Sequence, residues 1–272
     1  MPTIQVRGAN YYYQVAGSGP ETVVFAHGFL MNGDMFHPQI EALQKDYRCL
    51  AFDWRGQGRS EATATGYDMD ELFLDAVEFI QKLEAAPCHW VGLSMGGFVG
   101  IRLGARRPEL LKSLVLAETS AEAEDPKKRV KWKTLAYIFR VFGVGPVKNP
   151  ITKTLFGKKI LHDPSRQEIV KKFQDHWDHL DKAATMKTAM AIFHRKSVVE
   201  ELGRISIPTL IITGDQDMAR TSEEAKRMKE LIPHSQLVVI SGAGHSSSIE
   251  EPESFTNALK AFWKTLKEES RK

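Results

Sequence analysis

Apolar and polar positions along this chain follow two periods. Short, continuous apolar runs recur at Thr22–Ala26, Arg48–Phe52, His89–Val91, Ser113–Ala117, Thr209–Thr213 and Gln236–Ile240. Runs of that length without alternation predict strands buried on both faces of a sheet. Thr3–Gly8 and Asn10–Ala16 read as an antiparallel pair turned at Gly8-Ala9. Between the runs the spacing becomes helical. Over Asp70–Ala85, residues Leu72, Phe73, Ala76, Val77, Ile80 and Leu83 share one face, and Phe98–Arg106, Thr221–Leu231 and Pro252–Leu266 predict three further helices. Strands alternating with helices imply an α/β fold, a mostly parallel eight-stranded sheet with helices on both faces.

Residues 122–203 break the rhythm. They carry apolar and basic helical stretches interrupted by Gly143, Gly145, Pro146, Pro150, Gly157 and Pro164. An insertion of about 80 residues is too long for a loop in a compact domain. The expected organisation is a core of 1–121 and 204–272 with an inserted helical cap at 122–203. Charge sharpens that division. Residues 121–200 hold 17 Lys and Arg against 9 Asp and Glu, a net of +8 in a chain whose total is +3. Such a segment can steer anionic substrates or meet acidic partners, but the lack of any nucleic-acid motif favours solvated helix faces.

At 272 residues, with 42% hydrophobic and 26% charged residues, the composition is that of a globular protein. No apolar run reaches the roughly 18 residues of a membrane span, and the first residues lack a signal-peptide pattern. The two cysteines, Cys49 and Cys88, sit in strand runs and are expected as buried free thiols in a reducing cytoplasm.

Candidate chemistry centres on Gly92-Leu93-Ser94-Met95-Gly96. This G-x-S-x-G lies between a predicted strand and a predicted helix, where a sharp turn lifts the serine hydroxyl clear of the backbone. A serine nucleophile needs a base, an acid that orients the base, and donors for the developing oxyanion. Gly214-Asp215-Gln216-Asp217 and Gly242-Ala243-Gly244-His245 each follow a predicted strand, so acid and histidine stand in that order behind the serine. Asp215, Asp217 and Glu118 all sit in loops at strand ends, and spacing leaves the acid open among them.

With His27-Gly28-Phe29, Asp53–Ser60, Gly92–Gly97, Gly214–Asp217 and Gly244-His245 in place, the chain resembles a capped α/β-hydrolase. It is similar to the branch holding aryl esterases, enol-lactonases and cofactor-free haloperoxidases. The resemblance implies Ser94 as nucleophile, His245 as base and Asp217 as acid, with Asp215 holding its loop together. It implies oxyanion donors in the backbone N–H groups of Phe29 and Met95, and a structural role for His27 and the Asp53–Ser60 loop. Leu30, Met218, Phe142 and Phe193 are the expected substrate contacts; the other cap aromatics, Trp132, Tyr137, Phe139 and Trp177, line the pocket or form the cap's own core. Asp175-His176-Trp177-Asp178-His179 reads as a solvated helix face rather than a metal site, so neither metal nor cofactor is expected.

The implied activity is hydrolysis of a small ester or lactone through an acyl-enzyme. The same three residues would serve a carbon–carbon bond hydrolase or a perhydrolase, and a hydrolase fold kept as a small-molecule receptor is the alternative without turnover. A dehalogenase would need a carboxylate at position 94.

Overall fold

The computed structural model describes residues 2–269. Its centre is one sheet ordered β1-β2-β4-β3-β5-β6-β7-β8. The strands are β1 Thr3–Val6, β2 Ala9–Ala16, β3 Glu21–Ala26, β4 Tyr47–Phe52, β5 Cys88–Leu93, β6 Leu111–Ala117, β7 Thr209–Gly214 and β8 Gln236–Ile240. β2 runs antiparallel to β1 and β4, and every other neighbouring pair is parallel. The order turns outward in both directions from β3. Such a reversal leaves a crevice beyond the carboxyl ends of the strands beside it.

Alternation along the strands builds a core on each face. Val24, Leu50 and Phe52 point to one side, where α2 Met69–Lys82 and α3 Met95–Arg106 bury Phe79, Ile80, Phe98 and Ile101 against them. Val23, Phe25 and Cys49 point to the other, covered by α1 His37–Leu43 and by the C-terminal helix, Pro252–Glu269. Leading into α2, the Asp68 carboxylate accepts the N–H groups of Asp70 and Glu71 at 3.0 Å, a cap worth about 1 kcal/mol. Cys49 and Cys88 are free and buried.

Three local features differ from the sequence reading. The first hairpin turns at Arg7-Gly8, one residue earlier than expected, because Val6 pairs with Ala9 and both turn residues adopt positive φ (43° and 78°). The short α1 gives no clear periodicity because a buried polar residue, Gln39, stands on its inner face and donates to Ser248 O at 3.0 Å. The helix behind Ser94 starts at Met95 rather than Phe98, since Gly96 and Gly97 are helical.

Between β6 and β7 the chain forms α4 Pro126–Phe142, α5 Lys148–Leu155, α6 Lys158–Leu161, α7 Gln167–Asp178 and α8 Lys182–Phe193. Val198 N–H donates to Ala121 O at 2.8 Å, so the two ends of this excursion meet. α9 Ser222–Leu231 follows β7, opened by a capping box between Thr221 and Glu224, and α10 Ser247–Glu250 and α11 Pro252–Glu269 close the chain. No described helix is long and apolar enough to cross a membrane.

Candidate active site

Ser94 links β5 to α3 with φ 53° and ψ −107°, a conformation that costs a non-glycine residue on the order of 1–3 kcal/mol. Its surroundings hold it there. Ser94 N–H donates to Ala117 O at 2.8 Å, and Ser94 O accepts from Gly97 N, Phe98 N and Thr119 Oγ1, each at 2.9 Å. A Cβ at Gly96 would overlap the carbonyl oxygen of Ala26, which explains the second glycine of the pentapeptide.

His245, from the loop after β8, places Nε2 2.9 Å from Ser94 Oγ. Its Nδ1 lies 2.8 Å from Asp217 Oδ2, in the loop after β7. Burial is the largest influence on the Asp217 carboxyl and raises its pKa, but the His245 charge and bonds from His245, Arg220 N–H and Ala219 N–H outweigh it and hold the group below its ordinary range. An ionised Asp217 accepts a hydrogen bond from Nδ1–H of His245, which fixes the tautomer whose bare Nε2 can accept from the serine hydroxyl. Asp215 instead accepts Gly242 N–H at 2.8 Å and Ser241 Oγ–H at 3.0 Å, tying the β7 loop to the β8 loop.

Glu118 sits at the end of β6 with φ 48° and is fully buried. Its Oε2 accepts Gly214 N–H at 2.9 Å, while Oε1 is buried without a donor, and the Asp217 carboxylate and the Ser247 side chain stand beside the group. Burial first, and the Asp217 charge second, push the Glu118 carboxyl well above its usual range. Two carboxylates cannot both ionise in so dry a place. Asp217 keeps the charge, and Glu118 keeps the proton.

The Phe29 loop passes directly beside the serine, where a Cβ on Gly28 would stand 3.3 Å from Ser94 Cβ. Met95 N–H lies in the first turn of α3, which offers it no intrahelical acceptor, and Phe29 N–H has no backbone acceptor among the described residues. Leu30 adopts φ 66° and donates its N–H to Gln57 Oε1 at 3.2 Å, and its carbonyl accepts Trp177 Nε1–H at 2.9 Å. Helix α7 therefore braces the loop that holds Phe29. His27 is buried, with Nδ1 2.7 Å from Gly28 O and Nε2 accepting Trp54 N–H at 3.0 Å. Burial lowers its pKa to about 4, so it is a neutral strut of this loop. Asp53 similarly accepts Gly33 N–H at 2.7 Å and Arg59 N–H at 2.8 Å within the Asp53–Ser60 region.

Ser94 and His245 open into a cavity of about 140 Å³. Leu30 and Phe193 line it, as do Phe29, Trp132, Phe139 and Ile192. Two expected contacts are corrected. Phe142 is 71% exposed and Met218 66% exposed, and neither lines the cavity. Phe142 ends α4 one residue before Gly143 on its outer side, and the Met218 side chain projects into solvent although its neighbour Asp217 is buried. Tyr137 is exposed, whereas Trp177 is buried beneath the Phe29 loop. Within Asp175–His179, Trp177 points inward, Asp178 pairs with Lys148 at 2.9 Å, and His179 Nδ1 lies 2.9 Å from Asp175 O. No group of three or more His, Cys, Asp or Glu among the described residues could hold a metal ion.

Two polar clusters escaped the sequence reading. Glu250 is buried and accepts N–H groups from Gly157 at 2.7 Å, Gly244 at 3.0 Å and Ser246 at 2.9 Å, clamping the His245 loop to the segment before α6. Glu124 accepts from Arg195 at 2.8 Å and Arg220 at 2.6 Å, joining the residues before α4 and after α8 to the Asp217 loop. Burial, then the Arg220 charge, lowers the Arg195 pKa to about 10. Each acid lies near a motif or a segment boundary, but no spacing rule links it to partners so distant in sequence.

Known proteins resemble this chain over most of its length. A 3-oxoadipate enol-lactonase of Acinetobacter baylyi is 29% identical over 89% of this chain and 88% of its own. The structure of an enol-lactonase from Burkholderia xenovorans superposes with a TM-score of 0.90 at 26% identity, covering 97% of this chain and all of the other. A thermophilic esterase from Thermogutta terrifontis gives 0.90 at 25% identity, over 97% of this chain and 99% of its own. The family model for the alpha/beta hydrolase fold matches residues 21–252. This chain, with its mostly parallel sheet and its serine turn after β5, belongs to the α/β-hydrolase fold family.

Proposed function

We propose that the chain is a serine hydrolase cleaving small carboxylic esters or lactones through an acyl-enzyme. The observation that carries this reading is the unbroken chain Asp217–His245–Ser94, at 2.8 and 2.9 Å, opening into an apolar cavity. Ser94 Oγ attacks the carbonyl carbon as its proton passes to His245 Nε2. The carbonyl oxygen gains charge, and the N–H groups of Phe29 and Met95 meet it; each such donor is worth about 100- to 1,000-fold in rate. Collapse breaks the bond to the leaving oxygen, which takes the proton from His245. In an ester the alcohol departs; in a lactone it stays attached through the acyl chain. Water, deprotonated by His245, then attacks the acyl carbon and releases the acid and Ser94.

This chemistry uses no metal and no cofactor. The related lactonase and esterase support the substrate class. The cavity lining supports an apolar acyl or alcohol portion. Residues 122–203 act in this reading as a cap that chooses the substrate, because Trp132, Phe139 and Phe193 all come from it.

A panel of p-nitrophenyl esters and lactones of graded size, assayed with wild type and Ser94→Ala, tests the proposal. Wild type is expected to hydrolyse members of the panel, and Ser94→Ala to lose about 10,000-fold or more. Equal rates for the two proteins would refute it, and binding without turnover by wild type would favour a receptor.

A further inference from the structure

We propose that the outer face of α4 docks on anionic phospholipid surfaces. The helix covers Pro126–Phe142 and contains six basic residues, Lys127, Lys128, Arg129, Lys131, Lys133 and Arg140, and no acidic one. None of the six cations forms an ion pair with a carboxylate among the described residues. Lys131 instead rests its ammonium 5.0 Å from the centre of the Trp132 ring.

The apolar residues of α4 fall on two opposite sides. Trp132, Leu135, Ala136 and Phe139 face inward and line the cavity above Ser94. Val130, Tyr137 and Val141, at i, i+7 and i+11, form a second stripe at helical spacing and are 68%, 56% and 65% exposed. Arg129, Lys133 and Arg140 flank this stripe on one side, and Lys127 and Lys131 on the other. Phe142 extends the exposed apolar surface at the C-terminal end.

An apolar ridge between two rows of cations suits the boundary of a bilayer. The ridge enters the acyl region, while the long basic side chains reach the phosphates. Lysine and arginine are drawn to an anionic leaflet within a Debye length of it. A second copy of the chain would meet this face with the same positive charge, which opposes self-association through it. Soluble polyanions would engage the cations but leave Val130, Tyr137 and Val141 in water. Helix α4 is too polar to cross a membrane. Docking would leave it lying along the surface, over a length of about 25 Å.

This docking does not depend on the hydrolase reading. It is measured as co-sedimentation with vesicles of phosphatidylcholine alone and of phosphatidylcholine with about 30% phosphatidylglycerol. Wild type is expected to bind the anionic vesicles at about 0.05 M salt, at least tenfold more weakly at about 0.5 M, and to ignore neutral vesicles. A Lys127→Glu/Lys131→Glu variant is expected to lose binding about tenfold or more, and a Val130→Ser/Tyr137→Ser/Val141→Ser variant about fivefold or more. None of these residues lines the cavity, so p-nitrophenyl acetate turnover and circular dichroism report that the variants remain folded. Failure of wild type to bind anionic vesicles at low salt would overturn the proposal. So would equal binding to neutral vesicles, or undiminished binding by the serine variant; retention of that variant on a soluble polyanion would assign the face to an acidic macromolecule instead.

Discussion

At the scale of single residues, the least expected group is Glu118. Its buried carboxyl stands beside Asp217 and has a pKa raised well above the ordinary 4.5. The folded protein therefore holds this proton more tightly than the unfolded chain does. Its contribution to stability is full below the unfolded pKa of about 4.5 and is lost as pH rises from there through the folded value, at up to tenfold in the folding equilibrium per pH unit. Glu118→Gln keeps a donor toward Asp217 without a titrating group. Thermal unfolding followed from pH 5 to about pH 8 is expected to show the Gln variant gaining on wild type as pH rises. A constant difference across that range would mean that Glu118 is ionised in the fold. Ser94 and His245 were legible in the sequence because each sits behind a strand in a glycine-containing motif, whereas Asp217 was one of three acids at strand ends until the family resemblance singled it out. Glu118 was visible only as one of three acids at strand ends. Its role depends on which neighbouring strand brings Asp217 alongside.

At the scale of elements, the loop that carries Phe29 depends on α7. Trp177 Nε1–H reaches Leu30 O at 2.9 Å, and Leu30 is held at a positive φ. Trp177→Phe keeps most of the packing and removes the donor, leaving a buried carbonyl without its bond at a cost of about 1–3 kcal/mol. The expected outcome for p-nitrophenyl acetate is a kcat lowered about tenfold with KM nearly unchanged, because in the proposed mechanism the loop supplies a donor that strengthens in the transition state. A change in KM alone would mean that Trp177 shapes only the cavity. Helix periodicity located α2 and α9 well, since their apolar faces are regular. It missed α1, where Gln39 interrupts the buried face, and it could not decide which aromatics between β6 and β7 point inward. Phe142 and Phe193 are both phenylalanines at helix ends, yet one is bare and the other lines the cavity. That distinction is set by packing between helices.

At the scale of the molecule, five neighbouring strands share the work. The Phe29 loop follows β3, Ser94 follows β5, Glu118 follows β6, Asp217 follows β7 and His245 follows β8, and the sheet order sets these strands side by side. The chain order of serine, acid and histidine was legible because parallel strands put their carboxyl ends on one edge. The lateral order was not, since it depends on crossovers that periodicity does not report. Charge is divided as well: the basic excess between residues 121 and 200 includes α4, whose inner side lines the cavity and whose outer side is basic and apolar. The central claim is that Ser94 carries the acyl group during turnover. Its most direct measurement is mass spectrometry of protein quenched in acid during hydrolysis of p-nitrophenyl acetate. A single acetyl group on the peptide containing Ser94 in wild type, absent from Ser94→Ala, is the predicted result; acetylation elsewhere, or none alongside sustained turnover, would contradict it.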